Sequence, residues 1–453
     1  MEFLIYLPHN NKDSWEKKKE ILKNSNPTNI LELNFIFFEG KARFFKKLNK
    51  DYNKEGNEFM KVFNNLKDLI LNLENILPNT GIRILEKETN DELAFTRKQI
   101  ALIFLLSYFN LIEKIKDKYY EMPDFNFDTI LSSTYGSQFE FGRCFLNYLT
   151  IIGKLLLENN KILEEKIYYI RQVKNFNNDF YEKECKKLCE INFFEEGSLY
   201  DGKTTYLVDF ANKYIGGGTL EGGNVQEEIL FAIEPEATVA MLFMEVMKNN
   251  DAIRIDNTIQ YSLYVGYGGN FKFLNPAFDT KDMTKIKKSK IIAIDASVKF
   301  FLNNNIDYIQ RDIHKAYVGF DLVNYNYKDK NDENDIQKNE ESKTISTGNW
   351  GCGVFGGVHE LKFLQQWVAA SFAGVERLDY YTFKNKNMKN IIDSFDKLKN
   401  IYANANELYI DLNDDNLDED NILKWILNKK EDNSNKKNKK NSKKLNKKNC
   451  VCV

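Results

Sequence analysis

Histidine is scarce in this chain: His9, His314 and His359 are the only three among 453 residues. Zinc sites draw on histidine and cysteine at close spacing, and three scattered histidines argue against one. The six cysteines, Cys144, Cys185, Cys189, Cys352, Cys450 and Cys452, contain no C-x-x-C pair and no disulfide framework. Free thiols in a reducing, intracellular setting are the expectation, in nucleus or cytoplasm. Cys185 and Cys189 stand four apart on an expected helix but lack the further ligands a metal needs. No apolar run approaches the roughly 20 residues of a membrane span. The opening MEFLIYLPHNNKDSW has too short an apolar stretch and no basic lead for a signal peptide. With a net charge of −2, no global pull toward nucleic acid or membrane is expected.

Apolar residues make up 43% of the chain, enough for sizeable cores, and the 14% aromatic share predicts aromatic-rich interiors. Residues 1 to about 195 read as a mainly helical accessory region, poor in glycine. RKQIALIFLLSYFNLIEKIK (97–116) and RCFLNYLTIIGKLLLENNKILEEK (143–166) are its clearest helices, joined by a connector with Pro123, Gly136 and Gly142 as breaks. From about 196 to 428 strand-like and helix-like segments alternate, which predicts a three-layer α/β/α domain with a mostly parallel or mixed sheet. TTYLVDFAN (204–212), SLYVGYG (262–268), KIIAIDAS (290–297) and LDYYTF (378–383) read as strands, the third apolar enough for a sheet centre. PEATVAMLFMEVMKNN (235–250), YIQRDIHKAYVGFDLV (308–323, at least its first half) and ELKFLQQWVAASFAG (360–374) read as helices. Residues 326–343 form a charged insertion, and 429–453 a Lys/Asn-rich tail expected to be disordered.

The chemistry concentrates in VDFANKYIGGGTLEGGNVQEEILF (208–231), where a strand runs into Gly216, Gly217 and Gly218 and then into the adjacent carboxylates Glu227 and Glu228. Glycines let backbone N–H groups approach a phosphate closely. Neighbouring carboxylates repel each other, which favours keeping one protonated, as a general acid at neutral pH requires. An ordinary acidic helix start would also place Glu227 and Glu228 here. A second glycine-rich loop, TISTGNWGCGVFGG (344–357), precedes another helix. Both loops stand at strand ends, where such sheets bind ligands, and a diphosphate cradle beside a carboxylic acid suggests cleavage of a glycosidic bond in a nucleotide sugar.

GGGTLEGGNVQEE resembles the signature of the poly(ADP-ribose) glycohydrolases, as do VDFAN, TGNWGCGVFGG, the VGY at 265–267 and the YYTF at 380–383. Fainter similarity in FTRKQIALIF (95–104) and IYYIRQ (167–172) extends the likeness over roughly residues 80 to 428. The resemblance implies a macrodomain preceded by a helical region. It also implies metal-independent hydrolysis, without a cofactor, of the ribose–ribose bonds of poly(ADP-ribose) on modified proteins, as in the response to DNA damage.

By the same resemblance Glu228 protonates the departing ribose oxygen, Glu227 holds ribose hydroxyls and raises its neighbour, and Asp209 supports the loop. Asn212 contacts ribose. Gly216, Gly217 and Gly218 shape the first substrate loop, and Gln226 fixes that loop or touches substrate. Asn349, Gly351, Gly353, Val354 and Phe355 form the diphosphate loop, with Phe355 against the ribose. Tyr267 clasps the substrate and Phe383 lies on the adenine side. The family's acidic residue near the adenine has no ungapped counterpart in GSLYDG (197–202), where Tyr200 and Asp201 stand.

Two competing readings remain open at this level: a non-catalytic ADP-ribose reader, and a hydrolase of single protein-linked ADP-ribose units. The acid in Gln226-Glu227-Glu228 disfavours the first; Tyr267 and Phe355 disfavour the second. Lysines between Lys436 and Lys448 suit a nuclear import signal, a polyanion patch or a solvated tail. Cys450-Val451-Cys452-Val453 has the outline of a prenylation box, and membrane contact is expected only if Cys450 carries lipid.

Overall fold

The computed structural model describes residues 4–112, 121–200, 206–298, 305–327, 342–418 and 421–430. Asp201, most of the charged insertion, and the tail from 431 with its Cys450 box lie outside the described residues. The chain forms two compact units: Met1–Lys174 with Thr205–Asp295 and Asn326–Glu333, and Asn175–Thr204 with Ala296–Tyr325 and Asn334–Val453. They do not divide at residue 195: the glycine–carboxylate stretch packs with the helical region.

Eight strands matter for the site: β1 (Asp91–Thr96), β2 (Lys166–Val173), β3 (Glu190–Phe194), β4 (Tyr206–Ala211), β5 (Asp251–Ile259), β6 (Lys288–Asp295), β7 (Thr344–Gly348) and β8 (Arg377–Tyr381).

In the first unit the strand order is β1-β2-β5-β6-β4. The first three pairings are antiparallel and β6 pairs with β4 in parallel, a mixed sheet. β6 is central because Ile291, Ile292, Ala293 and Ile294 leave no polar face, and all four are fully buried. The helical part of this unit includes Asn53–Leu71, Arg97–Tyr108 and Gly136–Leu157. Thr96 starts the second by a reciprocal cap: its hydroxyl accepts from the Gln99 N–H at 3.2 Å, and Gln99 Oε1 accepts from the Thr96 N–H at 2.8 Å. The expected aromatic interior is present: the Phe104 ring meets Phe127, Phe145 and Tyr148 edge-on at 5.1, 5.5 and 5.1 Å.

In the second unit β7, β8 and β3 pair in that order, all parallel. The helix His359–Phe372 covers them, with Phe363 edge-on to Tyr380 at 5.2 Å. The helix Asn305–Asp321 covers all but the last two residues of the 308–323 segment, expected to be helical at least in its first half.

Several local expectations need correction. The accessory span contains β1 and β2, and IYYIRQ lies wholly inside β2, because its Tyr and Ile side chains are buried on both faces of the sheet. The helix expected over 143–166 runs from Gly136 to Leu157. Gly142 is therefore interior, where a methyl group would lie 2.6 Å from Phe44 Cε2; it serves packing and breaks nothing. The helix expected over 235–250 splits into Pro235–Thr238 and Ala240–Phe243, then turns extended at Met244, which bridges to Leu85. Tertiary pairing overrides helix propensity there. Cys185 and Cys189 follow the end of the helix Asn178–Lys183, and the Cys189 N–H donates to Ser371 Oγ at 3.0 Å. The first five residues of the second glycine segment form β7, and β8 ends at Tyr381, before Phe383.

Candidate active site

In the first unit β4 delivers the chain into the triple glycine, and the helix Gln226–Ile233 returns beside it. Gln226 ties the two: its Oε1 accepts from the Phe210 N–H at 2.8 Å and its Nε2 donates to the Val208 carbonyl at 3.2 Å. This side chain holds the start of the helix against β4. Glu227, 2% exposed, has both oxygens occupied by backbone donors, Asn212 N–H at 2.8 Å and Gly216 N–H at 2.7 Å. Glu228 Oε1 accepts from the Gly218 N–H at 2.9 Å, and Oε2 from the Val225 N–H at 2.8 Å. The two carboxylates are thus the template on which the glycine loop is folded.

The glycines are required by this closeness. Gly217 sits at φ +48°, and a methyl group there would lie 2.6 Å from Glu228 Oε1 and closer still to Glu227 Oε2. At Gly216 a methyl would lie 2.7 Å from Met241, and at Gly218 2.8 Å from the Gly223 nitrogen. Asn212 Oδ1 accepts from the Tyr214 N–H at 3.0 Å, an Asx turn that bends the chain into the loop.

Asp209 lies on β4, fully buried, and neither of its carboxyl oxygens has a hydrogen-bond partner among the described residues. Burial, reinforced by Glu228, holds its carboxyl well above the usual range. Burial and repulsion from Asp209 and Glu228 likewise raise Glu227, against the pull of the Asn212 and Gly216 N–H groups. Asp209 and Glu227, crowded together out of water beside Glu228, are thus both disposed to hold protons.

Tyr267 projects from the turn of the hairpin Ser262–Val265/Lys272–Pro276 and is 59% exposed. Partial burial and the Glu228 carboxylate raise its phenol, while the Gln226 backbone N–H acts the other way, which places the ring beside the acid. Gln138 and Ser137 escaped sequence reading. They open the helix Gly136–Leu157: Gln138 Nε2 donates to the Gly223 carbonyl at 3.1 Å, and Asn224 Nδ2 donates to Ser137 Oγ at 3.2 Å. No motif marked them; only folding brings them to the loop.

In the second unit Asn349 follows β7 and donates from Nδ2 to the Thr382 carbonyl at 3.1 Å, beside Phe383. Gly351 sits at φ +74°. The Cys352, Gly356 and Gly357 N–H groups close the turn on Asn349, Gly353 and Gly351 carbonyls. The N–H groups of Gly353, Val354 and Phe355 meet no protein acceptor among the described residues, the condition for an anion cradle. Val354 is 77% exposed, and Phe383, at φ +53°, is 47% exposed. Among the described residues no cluster of His, Cys, Asp and Glu has the makings of a metal site.

Residues 51–171 match the helical domain of poly(ADP-ribose) glycohydrolase, and residues 178–390 match its macro domain fold. A probable poly(ADP-ribose) glycohydrolase 2 of Arabidopsis thaliana is 28% identical over 82% of this chain and 80% of its own length. Poly(ADP-ribose) glycohydrolase 1 of the same plant is 30% identical over 71% of this chain and 69% of its own. Among solved structures, the Deinococcus radiodurans enzyme in complex with ADP-ribose matches 48% of this chain and 89% of its own, at 12% identity and a TM-score of 0.29. With both of its domains matched in order and a 30% identical relative spanned over two thirds of its length, the chain belongs to the poly(ADP-ribose) glycohydrolase family.

Proposed function

We propose that this protein hydrolyses the ribose–ribose O-glycosidic bonds of poly(ADP-ribose) on modified proteins and releases ADP-ribose. Family membership supports the reaction class. One observation carries the mechanism: Glu228 is pinned at both oxygens by loop N–H groups, beside the buried carboxyls of Glu227 and Asp209.

In this reading Glu228 is the general acid that gives a proton to the departing ribose oxygen as the bond to the anomeric carbon breaks. Positive charge builds on that carbon in an oxocarbenium-like transition state. Water adds its oxygen there and passes a proton to the Glu228 carboxylate, which restores the acid. Glu227 keeps the loop folded around its neighbour, since both its oxygens are already engaged. Tyr267 covers the sugar, and the Gly351–Phe355 turn takes the substrate's diphosphate on its N–H groups. The free thiols Cys144, Cys185, Cys189 and Cys352 favour an intracellular setting.

The test is incubation with labelled polymer and separation of the products. Wild type should release free ADP-ribose. Glu228→Gln should release none while binding ADP-ribose with near-native affinity. Release at an unchanged rate by that variant removes Glu228 from the mechanism; binding without release by wild type makes the protein a reader.

A further inference from the structure

Beneath the glycine turn of the second unit lies a charged pair that the chemistry above does not use. Lys362 stands in the first turn of the helix His359–Phe372 and is 1% exposed. Its ammonium bonds the carboxylate of Asp312, on the helix Asn305–Asp321, and lies 5.0 Å from the centre of the buried Trp350 ring. Its methylene stem is the floor of the turn: a methyl group at Gly351 would lie 3.1 Å from Lys362 Cε, and one at Gly357 2.7 Å from it.

Asp312 is fully buried and heavily bonded. It accepts from the Ser297 N–H at 3.0 Å, the Ser297 hydroxyl at 2.8 Å and the Arg311 guanidinium at 2.9 Å, besides Lys362. Burial alone would raise its carboxyl, but Lys362 first and then Arg311 hold it below the usual range. A carboxylate thus sits ionised under a turn whose Gly353, Val354 and Phe355 N–H groups await an anion. Arg311 already balances that carboxylate, so Lys362 leaves the cluster one positive charge in excess beneath the turn, an attraction for phosphate in surroundings that screen poorly.

We propose that Lys362 is a positioning residue for the diphosphate: with Arg311 it outweighs Asp312 beneath the cradle, and it holds the curvature of the Gly351–Gly357 turn. This rests on the reading that the turn takes the diphosphate. Lys362 touches no substrate. It acts by keeping the charge under the anion positive and the turn in shape.

The charge logic makes variants move in opposite directions. Lys362→Met keeps the stem but removes one of the two cations bonded to Asp312, leaving Arg311; it should raise the Kd for ADP-ribose and the KM for polymer about tenfold or more, with a smaller change in kcat. Asp312→Asn removes the carboxylate and leaves both Lys362 and Arg311 charged, so it should bind ADP-ribose as tightly as wild type or more tightly. The double variant Lys362→Met/Asp312→Asn should recover most of the affinity that Lys362→Met loses. All three are measured by calorimetry with ADP-ribose, alongside melting temperatures.

A merely structural pair would give equal losses in both single variants; that result overturns the proposal, as does an unchanged Lys362→Met. Should Lys362→Met fail to fold, the comparison of Asp312→Asn with the double variant decides. Asp312→Asn must bind at least as tightly as wild type, and the double variant must fold and bind. If wild type itself binds no ADP-ribose, the reading of the turn fails and Lys362 is not the cause.

Discussion

Gly217 and Glu227 occupy adjoining space so tightly that the loop has no room for a side chain: a methyl group on Gly217 would run into Glu227 Oε2 and lie 2.6 Å from Glu228 Oε1. Gly217 also sits at φ +48°, a left-handed backbone that alanine adopts only at a penalty. Gly217→Ala should therefore lose polymer hydrolysis and destabilise the protein by about 2–4 kcal/mol. Urea denaturation beside an activity assay checks it; an active Gly217→Ala would show that the carboxylates need no such close approach.

The helical region takes part in the site through Gln138. Its donation to the Gly223 carbonyl steadies a residue whose added methyl would lie 2.5 Å from the Glu228 carboxyl carbon. Gln138→Ala removes one hydrogen bond, worth about 1 kcal/mol of stability. The larger effect should fall on kcat, a loss of about tenfold from a loosened acid, with KM little changed. Steady-state kinetics that show a pure KM effect would contradict this.

Arg97 and Glu236, both fully buried, join the helical region to the strands of the first unit. Glu236 also accepts from the Tyr261 hydroxyl at 2.6 Å and the Ile259 N–H at 3.1 Å. Arg97→Met leaves that carboxylate buried without its cation and should cost about 3–5 kcal/mol. Adding Glu236→Gln should return part of the loss in denaturation experiments.

Glu234 supplies a pH dependence. It is fully buried at the end of the Gln226–Ile233 helix and accepts from Thr258 Oγ1 at 2.7 Å and Ser289 Oγ at 2.9 Å. Burial pushes its carboxyl up to about 7 from 4.5, although both hydroxyls pull it down. The unfolded chain gives up this proton first, so the group's stabilisation is complete below pH 4.5 and is lost as pH rises toward 7. The loss is at most about 3 kcal/mol. Glu234→Gln lacks this term, so its urea midpoint should fall less between pH 5 and pH 8 than that of wild type.

Much of the site was legible because its chemistry is local. Gly216 to Gly218 and Gln226 to Glu228 are close in the chain, and hydrogen bonds across that short loop hold them together. The apolar run of β6 announced a sheet centre for the same reason: four successive buried side chains need cover on both faces. Other expectations failed where distant partners decide. Met244 turns extended because Leu85 offers it a pairing partner, and the Tyr and Ile residues of β2 form a strand because β1 and β5 flank them.

The residues that sequence reading missed are those whose meaning depends on partners far along the chain. Sequence alone determined the family signature, the alternating architecture and the glycine–carboxylate loop, since short-range sterics and charge act within a few residues. Only the tertiary structure decided that Gln138 meets Gly223 across 85 positions and that Lys362 meets Asp312 across 50. Hydrogen bonds and ion pairs in the interior form between whatever groups folding leaves without water, and no local pattern records which those will be.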